Sequence, residues 1–185
     1  YDDRAYARNT VKLFAYLREK LGFEIELLHD VHERLSPAEA VRLSCELDPY
    51  RLFFLEDILP PEHIHWFRQI RHKSTTPLAM GELFNNPNEW MPLIEGRLID
   101  YIRVHISQIG GLTPARKLAI LCEAFGIRTA WHGPGDVSPI GHACNLHLGL
   151  SSSNLGIQEW CGIDLSENLA EVFTGIPQVR DGYAY

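Results

Sequence analysis

The 185-residue sequence has no run of lysine or arginine, no CxxC pair and no apolar stretch near the roughly 20 residues that span a bilayer. Each absence excludes something. With 17 basic against 24 acidic residues and a formal charge of −7, no basic surface is large enough to track a phosphate backbone, which argues against nucleic acid as a partner. No signal peptide and no membrane span can be read, so the cytoplasm is the default expectation. Cysteines 45, 122, 144 and 161 lie far apart among apolar neighbours, where free, buried thiols in a reducing compartment are the expected state. No GxGxxG or P-loop follows the first strand-like segment, which weakens a nucleotide-binding open sheet. What is present, 45% hydrophobic, 22% charged and 10% aromatic residues, is the composition of a packed globular protein.

The sequence also lacks an initial methionine. It opens in an amphipathic helix, with Val11, Phe14, Ala15, Leu17, Arg18 and Leu21 at helical spacing and Gly22 as the stop. This reads as the middle of a protein.

Beyond that helix a unit recurs six times: a short apolar run rich in strand formers, closed by a polar residue and followed by a helical stretch. The runs are 24–30 (EIELLHD), 51–57 (RLFFLED), 77–82 (PLAMGE), 101–107 (YIRVHIS), 128–133 (RTAWHG) and 155–160 (LGIQEW). Ser36-Pro37-Ala38-Glu39 predicts an N-cap, a first-turn proline and a capping box, and Thr113-Pro114 predicts a second cap with its proline. Strands alternating with helices imply a parallel sheet with right-handed crossovers. Asp30, Glu56 and Glu82 each close a run, at intervals of 26 and 26 residues. That spacing suits one unit of an eight-stranded barrel, and a doubly wound open sheet would give it too.

In a parallel barrel the C-terminal ends of neighbouring strands converge on one face. Three carboxylates meeting there repel, and a hard divalent cation relieves them; all-oxygen ligation suits Mg²⁺ better than zinc. The other runs end in reactive groups as well. Arg103 and His105 share one face of their strand by alternation, His132 ends its run, Asp136 lies in the loop GPGD, and Glu159 ends the last. Arginine holds carboxylates bidentately and histidine moves protons near neutrality. His29 alternates away from Asp30 and reads as a structural histidine, and His63, His65, His72, His142 and His147 lie on helical stretches.

With these residues in view, the sequence resembles the enolase superfamily, and within it the D-mannonate dehydratase family of sugar-acid dehydratases. The motifs that carry the resemblance are LLHDVHERL, FFLEDILPPE, MGELFNNPNEW, IRVHISQIGGLTPARKLA, WHGPGDVSPIGHACNLHL and IQEW, which run in order across nearly the whole chain. The resemblance implies an α/β fold: a partial TIM-type (β/α)7β barrel, strands 3 to 8 with their helices, without the first two strands and the N-terminal capping domain. Residues 1–175 would be the barrel portion and 176–185 the start of a segment returning towards the cap. Asp30, Glu56 and Glu82 would be the Mg²⁺ ligands and His32 the general acid that protonates the departing 3-hydroxyl. Arg103, His132, Asp136 and Glu159 would line the substrate site, with the general base, a tyrosine assisted by an arginine, upstream of this chain.

The implied reaction is dehydration of D-mannonate or a close aldonate. Proton loss at carbon 2 gives an enediolate stabilised by the metal, and acid-assisted loss of the β-hydroxyl yields a 2-keto-3-deoxy acid. The partner is a small sugar acid, and the resemblance also implies a homo-oligomer. No aspartate on IRVHIS pairs with His132, which argues against a His-Asp racemase dyad. Another sugar-acid preference, or a catalytically silent ligand-binding homologue, would keep the same metal site.

Overall fold

The structure, a computed structural model, describes residues 2–135, 137–161 and 171–185. Helix α1 (Asp3–Leu21) starts where the Asp2 side chain accepts the Ala5 N–H and ends at Gly22 in a left-handed turn. Its inward face is Ala7, Thr10, Phe14 and Arg18, whereas Leu21 is exposed. Arg18 belongs to that face for a polar reason: its guanidinium donates to the carbonyls of Gly22, Ile25, Tyr50 and Arg51 at 2.7–3.1 Å.

Five short strands follow, each separated by helix: β1 (His29–Asp30), α2 (Pro37–Leu47), β2 (Leu55–Glu56), α3 (Phe67–Lys73), β3 (Leu78–Met80), α4 (Pro87–Glu95), β4 (Tyr101–Ile102), α5 (Leu112–Ala124), β5 (Arg128–Thr129) and α6 (Pro139–Leu150). They form one parallel sheet in sequential order, β1 to β5. A doubly wound sheet reverses its strand order at a switch point; this one does not, and it has the winding of a barrel wall. The sixth expected strand joins by a single parallel bridge, Leu155 to Thr129. A short antiparallel hairpin, β6 (Val179–Arg180) with β7 (Tyr183–Ala184), lies near the C-terminus.

Two layers of apolar residues hold the sheet. Outside it, Leu43, Leu47, Phe67, Ile70, Leu93, Ile94, Leu118 and Cys122 bury helix stripes against the strands. On the other face Phe54, Ala79, Tyr101 and Ala130, one from each of four neighbouring strands or its edge, form a separate cluster. This layering is how a parallel barrel fills its interior.

The helix starts differ in detail from the sequence reading. Ser36 stands at the N-cap of α2 but its side chain makes no capping bond, and Glu39 pairs with Arg42 and Arg4 instead of closing a box. The capping box is at α4, between Asn86 and Glu89. Helix α5 is capped by Gly111, so Thr113 falls inside it. Among the cysteines, Cys122 is buried, with its thiol pushed up to about 12 by burial, while Cys161 is exposed. No helix among the described residues is long and apolar enough to cross a membrane.

Candidate active site

Strand register explains how the polar residues meet. Asp30 is paired directly with Glu56, and Glu56 with Ala79. Glu82 therefore stands three residues beyond that level, past the end of β3, despite its equal spacing in sequence. The chain crosses this point closely at Gly81 (φ 144°), where a β-carbon would lie 3.1 Å from the Val104 nitrogen.

Asp30, His32, Glu56, Glu82, Arg103, His132 and Glu159 line one cavity of about 310 Å³ with Leu28, Phe54, Pro134 and Ile157. Seven of the eight residues that the resemblance assigns to the site are thus brought together; the eighth, Asp136, lies outside the described residues. Two donor groups share Glu82, one with Asp30 and His32 and the other with Glu33 and Asp57, and within each every residue offers an atom within 4.8 Å of the others. Glu56 faces the same space, but its Oε1 accepts the Nε–H of Arg103. Arg103 is almost wholly buried over the Phe54 ring, and also donates to Glu159 Oε2 at 2.8 Å and to the Ala130 carbonyl at 3.2 Å. His105 does not line the cavity; its ring lies 5.5 Å from that of His132. His29 faces the helix layer, 2.9 Å from the Tyr6 hydroxyl and edge-on to Phe14.

Charge crowding shapes the site. Burial pushes the Glu56 carboxyl up to about 7, against the pull of Arg103 and with a further push from Asp30. Asp30 still reaches solvent, yet is raised by partial burial and by Glu82. Glu82 is lowered, chiefly because it accepts from His132 Nε2 at 3.1 Å. Burial works to raise Glu159, but Arg103 and the Gly133 N–H at 2.7 Å outweigh it, and the net direction is down. His32 is raised, first by its bond to Glu33.

Two acids were missed in the sequence. Asp57 is fully buried and raised well above the ordinary carboxyl range by burial and then by Glu56; its Oδ1 accepts the Gly81 N–H at 2.9 Å and its Oδ2 has no partner. Glu33, raised by burial, touches the ring of His32. The one available signal was position, since each directly follows a residue already singled out.

Residues 4–185 match the family described as enolase C-terminal domain-like. The chain belongs to this family. Within the enolase superfamily, it is 57% identical over 185 residues to a D-galactonate dehydratase family member of Pantoea ananatis and 56% identical to one of Musicola paradisiaca. It covers the whole of itself but 44% of either relative, so it spans less than half the length of the curated relatives it matches. A crystal structure of an enolase from Pantoea ananatis with bound D-gluconate and Mg superposes on it with a TM-score of 0.96, at 57% identity, over 100% of this chain and 44% of that one. A mandelate racemase/muconate lactonizing enzyme from Jannaschia sp. CCS1 gives 0.83 at 26% identity, over 96% and 45% of the two chains.

The chemistry of the donor set on this wall fits a divalent cation. Asp30, Glu56 and Glu82 are hard oxygen donors on adjoining strand ends, and two of them are driven towards protonation by burial and by their neighbours' charge. A cation in that space removes the repulsion. Mg²⁺ takes oxygen donors and keeps several waters, which an open cavity permits.

Proposed function

We propose that the full-length protein carrying this chain is a Mg²⁺-dependent hydro-lyase that dehydrates D-mannonate or a closely related aldonate to the 2-keto-3-deoxy acid. The observation that carries this reading is the placement of His32, a proton donor, within the same tight group of donor atoms as Asp30 and Glu82. The relatives, D-galactonate dehydratase family members, and the neighbour solved with D-gluconate and Mg support a sugar acid as the ligand.

In this reading Asp30, Glu56 and Glu82 hold the cation, which supplies a Lewis acid for the substrate carboxylate. His32 gives a proton to the departing 3-hydroxyl, and its raised pKa keeps it charged for that task nearer to neutrality. Arg103 spends three of its five N–H donors on Glu56, Glu159 and Ala130, which fixes two carboxylates on the cavity wall, and it lines the substrate site beside them. Glu159 and His132 face the cavity as hydrogen-bonding groups for the sugar hydroxyls, and Asp136, outside the described residues, is assigned to the same task on the sequence resemblance alone. The base for the carbon-2 proton is assigned to the part of the protein outside this chain. The same reading places the protein in the cytoplasm as a homo-oligomer, and takes residues 1–175 as barrel and 176–185 as the turn back towards a cap.

The test is an aldonate screen of the full-length protein with Mg²⁺. D-Mannonate, D-gluconate and D-galactonate are each followed for 2-keto-3-deoxy acid formation. D-Mannonate is expected to be turned over fastest, and His32→Asn to lower that kcat by about 10²- to 10⁴-fold. No product from any aldonate would overturn the dehydratase reading. An undiminished His32→Asn rate would remove His32 as the acid.

A further inference from the structure

Glu33 neither holds the cation nor binds the sugar acid in the proposed reaction, yet it occupies an unusual position. Its Oε2 lies 3.0 Å from Nδ1 of His32, while His32 Nε2 points the other way, 3.5 Å from Glu82 Oε1. Adjacent residues on an extended strand project to opposite faces and cannot pair in this way. The chain achieves it by leaving the strand: His32 and Glu33 both adopt left-handed backbone, with φ of 54° at each. Two consecutive non-glycine residues in that region are strained, and they persist only where the surroundings over-determine them.

The surroundings here do so. Val31 N donates to the Glu56 carbonyl at 3.0 Å, His32 N to Asp30 Oδ1 at 2.8 Å, and Glu33 N to the Asp57 carbonyl at 2.8 Å. Three successive amides are thereby pinned at the end of β2 and β1. The result covers the Glu33 side chain, 14% exposed, while the His32 side chain stays 53% exposed on the cavity side.

We propose that Glu33 is a positioning residue for His32: its carboxylate accepts the Nδ1–H, fixing the ring's orientation and tautomer so that Nε2 is the nitrogen presented to the substrate. The proposal rests on the dehydratase reading for its role in turnover. In that step the Nε2–H bond breaks and the proton passes to the oxygen leaving carbon 3. The C–O electron pair departs with the water formed. The ring is left neutral with its remaining proton on Nδ1, the tautomer that a carboxylate at Nδ1 favours. Solvent at the exposed ring returns the proton.

The test uses the full-length, Mg²⁺-loaded protein with ¹⁵N-labelled histidine, the His32 signals being assigned by their loss in His32→Asn. Wild-type His32 is expected as the Nδ1–H tautomer when neutral. Glu33→Met, of similar bulk but unable to accept, is expected to shift it towards the Nε2–H form and to lower kcat about 10- to 100-fold at little-changed KM. Glu33→Gln, whose amide oxygen still accepts, is expected to keep the tautomer and recover most of the rate, which guards against a folding defect in the methionine variant. An unchanged tautomer in Glu33→Met, or a raised KM at constant kcat, would overturn the proposal. Loss of one bound metal equivalent in Glu33→Gln would also overturn it, because Glu33 would then be a cation ligand beside Asp57 and Glu82, whose donor atoms lie within 4.8 Å of its own. A tautomer that follows Glu33 while His32→Asn stays fully active would keep the pairing and remove only its part in turnover.

Discussion

Replacing Arg103 with methionine keeps aliphatic bulk over Phe54 and deletes the charge between two carboxylates. The Arg103 and Glu56 side chains are 5% and 4% exposed, so water does not replace the lost partner. Removing one side of a buried pair costs about 3–5 kcal/mol. Glu56 has a way to moderate this, because its carboxyl already sits at about 7 with the guanidinium in place. Such a group favours the fold below its unfolded value near 4.5 and withdraws that contribution as pH rises through about 7. Without Arg103 it stays protonated far above neutrality. Between about pH 6 and pH 8 the wild-type group passes from roughly one-tenth to roughly nine-tenths ionised, while the variant's remains neutral. Integrating that proton difference gives about 1.4 kcal/mol. Chemical denaturation of the chelator-treated full-length protein should therefore show Arg103→Met to be more destabilising at pH 8 than at pH 6 by about that amount. A penalty equal at the two pH values, or larger at pH 6, would refute the argument.

The same group sets a binding prediction. A carboxyl must be ionised to ligate, so with Glu56 at about 7 the Mg²⁺ affinity of the full-length protein should rise about tenfold from pH 6 to pH 8 by calorimetric titration; a flat profile would take Glu56 out of the ligand set. Gly81→Ala places a β-carbon 3.1–3.2 Å from the backbone of Arg103 and Val104 at φ 144°, and should lower stability by about 1–3 kcal/mol in thermal or urea unfolding. A neutral Gly81→Ala would mean that β3 and β4 can part without loss.

The strand order and the strand-end acids were legible because parallel barrels repeat one unit and turn the repeat into proximity: Asp30 and Glu56 are register partners. Equal spacing was a weaker guide for Glu82, since the turn at Gly81 carries it past the strand end. Helical periodicity found Arg18 but not why it is buried, which depends on carbonyls as distant as Arg51. Alternation assigned Arg103 and His105 to one face, yet β4 ends at Ile102, before either residue, and only Arg103 lines the cavity. Asp57 and Glu33 escaped notice because their significance lies in burial and in left-handed backbone, neither of which a residue pattern records. The capping box predicted at Ser36 does not form because the buried Glu39 carboxylate pairs with Arg42 and Arg4; Asn86 and Glu89 form one at α4.

The Arg103 clasp also bears on how the molecule acquires its site. Its two carboxylate partners lie 47 and 56 residues away in sequence, on opposite sides of it along the chain. Contacts of that separation carry the loop-closure entropy of the intervening units, so they form late and raise the folding barrier. The cavity wall therefore exists only once β2, β4 and the segment after β5 have all docked, and a folding intermediate with most of its helices would still lack it. Cation binding then becomes a clock for the last stage of folding: its onset in a refolding time course should trail the recovery of helical signal.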